Sequence, residues 1–121
     1  LSIRRQRQMC IRDSLRTTEL VRDKLGLPKE KVFTSFQSRL GKDKWIEPYT
    51  DTTLEALPKK GIKKLAVCCP AFVSDCLETL EEIAMEGKDE FLHAGGESFH
   101  YLPCLNDDDI FVNVVKNLCE V

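Results

Sequence analysis

Three glutamates, Glu78, Glu82 and Glu86, recur at intervals of four with no Lys or Arg among them. Like charges so spaced on a helix destabilise it by about 0.2–0.5 kcal/mol per pair, so the pattern works against local stability. Projected at about 100° per residue, Asp75, Glu78, Glu82, Glu86, Asp89 and His93 fall on one stripe, with Leu77, Leu80, Ala84 and Phe91 opposite. A ladder of carboxylates can pass a hard or borderline divalent cation along its length, or accept protons. On pattern alone, the stripe reads first as a solvated outer face, as most charged helix faces are. Asp75 has a further reading as the N-terminal cap or first-turn carboxylate of its helix.

The surrounding elements decide where such a ladder would stand. Residues 63–69 form a nearly continuous apolar run stopped by Pro70, the pattern of a parallel strand buried on both faces. The helix that follows spans residues 74–94 and is closed by Gly95-Gly96. Asp75 and Glu78 therefore lie near the carboxyl end of a sheet, where α/β proteins place ligands. Upstream, residues 15–26 read as the tail of a helix stopped by Gly26, and residues 31–38, rich in Val, Phe, Thr and Ser, as a strand. Residues 51–61 follow Thr50, an N-cap candidate, and form a helix that Pro58 should fray. A short strand over 99–103 and a last helix over 107–120 complete an α/β alternation that implies a parallel sheet with flanking helices.

With 18 basic and 20 acidic residues the chain carries a net charge of −2. Residues 1–14 stand apart: they contain Arg4, Arg5, Arg7 and Arg12, lack a hydrophobic period, and resemble a translated transposase sequencing adapter. The expectation is that they are a non-native segment and that the domain covers 15–121; a basic arm for an anionic partner is the other reading. Without them 14 basic and 19 acidic residues remain, a net charge of −5, which argues against nucleic acid as a partner. The longest apolar stretch, residues 65–73, is interrupted by Pro70 and falls short of the roughly 18 residues a membrane span needs. The six cysteines are scattered and contain no CxxC pair. They read as reduced thiols in a cytoplasmic protein, with Cys68 and Cys69 as core residues.

Three ordered motifs carry a resemblance over residues 15–121. They are Phe36-Gln37-Ser38-Arg39-Leu40-Gly41, then Trp45-Ile46-Glu47-Pro48-Tyr49-Thr50, then Cys69-Pro70-Ala71-Phe72-Val73-Ser74-Asp75-Cys76-Leu77-Glu78-Thr79-Leu80-Glu81-Glu82. Together they resemble the carboxy-terminal half of ferrochelatase. The resemblance implies a chelatase-like fold of two Rossmann-like halves, of which this chain supplies the second. It also implies insertion of ferrous iron into protoporphyrin IX to give protoheme, the last step of haem synthesis, with the porphyrin held between the halves.

Position by position, the resemblance assigns Glu78 to the acidic residue facing the porphyrin centre, opposite a metal-binding His in the missing amino-terminal half. It places Glu82 and Glu86 in an acidic row along a helix with widened, π-type turns, and Trp45, Gln37 and Ser38 in the porphyrin pocket. Asp75 and Cys76 are accessory candidates; Cys76 stands where other members carry His. Iron is a substrate here, no tightly bound cofactor is expected, and no iron–sulfur cluster, since Cys104 and Cys119 are far apart. His93 and His100 match no assigned position. The expected partners are the porphyrin, ferrous iron, the missing half and, in passing, a membrane surface, although no amphipathic anchor supports the last. The alternatives are a non-catalytic metal- or ligand-binding α/β module and a chelatase for another tetrapyrrole. The isolated fragment is expected to be inactive.

Overall fold

A computed structural model describes residues 2–37 and 46–119, with side chains from residue 11 onward. The chain divides into two compact units, Leu1–Thr53 and Leu54–Val121.

In the first unit, helix α1 (Ser2–Leu25) runs unbroken through residues 2–14 and into the helix tail expected at 15–26. Its first half is rich in Arg and Gln, both good helix formers. Gly26 ends it in the left-handed region, φ 64°. There its N–H donates to the Asp23 carbonyl (3.2 Å) and that of Leu27 to the Arg22 carbonyl (3.0 Å), a Schellman closure. The strand expected at 31–38 is not a ladder strand among the described residues. A short 3₁₀ turn occupies Lys29–Lys31, and the extended chain beyond it makes one isolated parallel bridge, Phe36 with Tyr49. Phe36 N–H donates to the Pro48 carbonyl at 2.9 Å and the Phe36 carbonyl accepts the Thr50 N–H at 3.2 Å, but Pro48 has no N–H to extend the pairing towards Thr34, so it does not propagate that way.

Helix α2 (Thr50–Lys59) begins one residue earlier than expected. Thr50 is inside it and does not cap it: its buried hydroxyl donates to Ser35 Oγ (3.1 Å). The Tyr49 carbonyl instead accepts the Thr53 N–H at 3.0 Å. The frayed end expected at Pro58 is closed, with Ile62 N–H on the Leu57 carbonyl at 3.1 Å.

In the second unit, β1 (Lys64–Cys68) pairs in parallel with β2 (Ser98–Leu102), Lys64 opposite Ser98 and Cys68 opposite Leu102. β1 is not buried on both faces; exposed and half-buried residues alternate along it. Among the described residues it has a single ladder neighbour, and Cys68, expected in the core, is exposed. The core is formed by Leu54, Leu57 and Phe91, with Ile62, Leu65, Leu92 and Phe99 packed against it. The Phe91 and Phe99 rings meet in a tilted arrangement, centroids 5.9 Å apart. Between the strands lie a π-helix (Glu78–Gly87), which runs directly into α3 (Lys88–His93). The last helix, α4 (Asp109–Cys119), presents Ile110, Val114 and Leu118 to solvent. Among the described residues no helix is long and apolar enough to cross a membrane.

Candidate functional site

The site is built where β1 turns into the π-helix. In an α-helix about 100° separates neighbours, so twelve residues overshoot whole turns by about 120°. The i→i+5 bonds of a π-helix widen each turn and bring residues four apart onto one line. The buried residues of this helix are accordingly Thr79, Ile83, Gly87 and then Phe91. The core face expected from α-helical spacing is displaced: Leu77 is 74% exposed and Leu80 48%. The reason is the wider turn, which favours a period of four over the 3.6 assumed from sequence. Gly87 meets Leu54 so closely that an added Cβ would stand 2.9 Å from Leu54 Cδ1.

Glu78, Glu82 and Glu86 share the same period, offset by one residue from the buried line, so they form a row beside it. Glu82 and Glu86 are exposed, whereas Glu78 is half-buried. Glu78 Oε1 is fully buried and has no hydrogen-bond partner. Burial, and then the nearby charge of Glu82, raise the Glu78 pKa above the usual carboxylate value. Among the described residues no three His, Cys, Asp or Glu side chains gather as a metal cluster; the glutamates are strung along the helix. His93 is exposed at the end of α3, its Nδ1 2.7 Å from the Asp89 carbonyl oxygen.

Asp75 lies just ahead of the helix, but its carboxylate caps no helical N–H. Oδ1 accepts from the Tyr101 hydroxyl (2.7 Å) and the Cys104 N–H (3.3 Å). Oδ2 accepts from Asn106 Nδ2 (2.8 Å), and Asn106 Oδ1 in return accepts the Asp75 N–H (2.8 Å). These bonds, first the Asn106 amide and then Tyr101, hold the Asp75 pKa well below the usual carboxylate range. The Tyr101 hydroxyl is raised, chiefly by burial. Thr79 Oγ1 accepts the Cys76 N–H at 3.0 Å and lies 3.1 Å from both Asp75 Oδ1 and the Cys76 carbonyl. Cys76 itself is exposed. Burial pushes the Cys69 thiol up to about 11 and raises that of Cys104.

Of the residues singled out in the sequence, the second unit thus carries Asp75, Cys76, Glu78, Glu82 and Glu86 on one turn and helix. Gln37 is half-buried and belongs to the first unit; Ser38 and Trp45 lie outside the described residues. Thr79, Tyr101, Cys104 and Asn106 were not anticipated. Their signal was topological: the loops leaving two adjacent parallel strands meet at the carboxyl end of the sheet, so residues 101–106 had to face residues 69–76.

A parallel β–helix–β unit with a half-buried glutamate near the carboxyl end of its strands is an α/β domain. The model of the family described as Ferrochelatase matches residues 6–121, and the chain belongs to that family. It is 57% identical over 107 residues to a ferrochelatase of Vibrio cholerae, covering 88% of this chain and 33% of that protein. A Pseudomonas putida ferrochelatase is 53% identical over 115 residues, 94% of this chain and 34% of that protein. One from Ectopseudomonas mendocina is 56% identical over 106 residues, 88% and 31% respectively. The chain spans about a third of the length of the curated relatives it matches.

Proposed function

We propose that the polypeptide to which this chain corresponds inserts ferrous iron into protoporphyrin IX to form protoheme, with Glu78 at the reacting centre. The observation that carries the reading is the Glu78 carboxyl, half-buried, with one oxygen unpartnered and its pKa raised. Metallation releases two pyrrole protons, and a carboxylate poised above its usual pKa is a better acceptor for them near neutral pH. Glu82 and Glu86 continue from it as weak oxygen ligands in a row, suited to passing a borderline cation on; thiolate or several imidazole ligands would hold it more tightly. Trp45, Gln37 and Ser38 line the porphyrin pocket in this reading, Asp75 and Cys76 are accessory, and the remainder of the polypeptide contributes a metal-binding His opposite Glu78. Iron is a substrate, with no resident cofactor or iron–sulfur cluster.

The setting proposed is the cytoplasm, with transient contact at a membrane surface for a hydrophobic substrate and product. The five described cysteines are free thiols, as a reducing compartment keeps them. The test is a metallation assay on the full-length protein with ferrous iron against zinc and cobalt, and protoporphyrin IX against coproporphyrin. The reading expects ferrous iron and protoporphyrin IX to give the highest kcat/KM. A clear preference for another tetrapyrrole, or binding without turnover, would replace it. Residues 15–121 alone are expected to give no measurable rate.

A further inference from the structure

The Oε1 atom of half-buried Glu78 is buried without a hydrogen-bond partner, an arrangement that no bond to that oxygen maintains. Something in the backbone must hold it there. Its sequence neighbour Thr79 is fully buried and tied through Oγ1 to the Cys76 N–H and to Asp75 Oδ1. Asp75 in turn is fastened to the end of β2 and the loop beyond it by Tyr101, Cys104 and Asn106. Within this set Asn106 alone bonds Asp75 on both sides, side chain to side chain and side chain to backbone N–H. Its amide also donates to the Cys104 carbonyl at 3.1 Å. The residue sits at φ 50°, a left-handed conformation that Asn tolerates better than most residues.

We propose that Asn106 is a positioning residue: by pairing reciprocally with Asp75 it fixes the entry of the π-helix and so holds the Glu78 carboxyl in its buried, unpartnered place.

The consequence for turnover rests on the role proposed for Glu78, but the positioning can be read without it, by residue-resolved hydrogen exchange on the 121-residue chain. Asn106→Ala should lower the protection of the Asp75, Cys76 and Leu80 amides by about tenfold or more, as loss of a hydrogen bond to a charged group implies. The ladder amides of β1 and β2 should keep theirs. Asn106→Asp preserves the shape but removes the amide donor and sets a second carboxylate against Asp75. Facing that pair are the Tyr101 hydroxyl from β2, the Cys104 thiol, the Thr79 hydroxyl and, from the end of β1, the Cys69 thiol. Tyr101, Cys69 and Cys104 stay neutral in acid, so the carboxylates alone titrate there. Protection in Asn106→Asp should therefore be close to wild type where the pair shares one proton and fall as pH rises and both ionise. Wild-type protection in both variants at every pH overturns the proposal, as does a loss spread evenly over the β1 and β2 ladder. In the full-length enzyme Asn106→Ala should reduce kcat more than it changes KM. Loss of protection with kcat unchanged would leave the latch standing and remove Glu78 from the chemistry.

Discussion

Gly96→Ala tests how the glutamate-bearing helix is anchored. Gly96 follows the left-handed Gly95 (φ 102°) that ends α3, and its N–H donates to the Phe91 carbonyl at 2.9 Å. An added Cβ would run into two carbons of the Phe91 ring and stand 2.8 Å from the Phe91 carbonyl oxygen. The ring has no room to retreat, being fully buried against the core that includes Leu54, Leu57 and Phe99. Overpacking of this kind costs about 1–3 kcal/mol. If the backbone yields instead, the closing hydrogen bond is lost, at about 1 kcal/mol. Expelling the ring altogether bounds the loss at roughly 3–5 kcal/mol, the cost of Phe→Ala in a core. The expected loss is about 1–3 kcal/mol, read from urea unfolding followed by far-UV circular dichroism. Phe91→Leu removes the offending ring carbons, so in a double-mutant cycle Gly96→Ala should cost less in that background, with a coupling of about 1 kcal/mol. A Gly96→Ala protein within about 0.5 kcal/mol of wild type, the range of a neutral surface change, would refute the packing argument. It would also refute the claim that Phe91 terminates the buried line that aligns the π-helix.

Glu78 supplies a pH test. Its folded pKa lies above the ordinary carboxylate value of 4.5, so the folded state binds the proton more tightly, and the stability this contributes is lost as pH rises through the folded pKa. Glu78→Gln should accordingly gain stability relative to wild type on going from pH 4 to pH 7 in paired urea titrations; a difference that stays flat would mean Glu78 is not desolvated. Thiol labelling tests the half-buried Cys69 that follows β1. With Cys69 at about 11 against an ordinary 9, its thiolate fraction at pH 8 is about a hundredfold below that of an unperturbed thiol. Iodoacetamide should modify exposed Cys119 and Cys76 well before Cys69, as mass spectrometry of the peptides would read; equal rates would contradict it.

Much of this was legible in the residues. Gly26 and Gly95 mark the ends of α1 and α3 because a left-handed residue is needed there, and the apolar run ended by Pro70 marks β1. What misled was periodicity. A wide turn moves the buried line from Leu77 and Leu80 to Thr79, Ile83 and Gly87, while Phe91 is in the core as expected; a charged stripe looks the same whether its turns are α or π, and only the resemblance implied the π-type turns. The carboxylate row survived that error because Glu78, Glu82 and Glu86 share the period of the π-helix itself. Strand burial at 63–69 was overread, since an apolar run states what a strand can bury and not which neighbours it has. The Asp75 latch was invisible because its partners are about 30 residues away and are ordinary residue types, Tyr101, Cys104 and Asn106. Only pairing β1 with β2 brings them into reach.

In the proposed reaction the Glu78 carboxyl takes part in placing iron in the porphyrin. The most direct test is the initial rate of ferrous iron insertion into protoporphyrin IX by the full-length enzyme carrying Glu78→Gln, which keeps the shape and removes the base. The account predicts a fall in kcat of about 10²–10⁴, the usual contribution of a general base, with porphyrin KM little changed and hydrogen exchange around Thr79 intact. Normal turnover in that variant would contradict it.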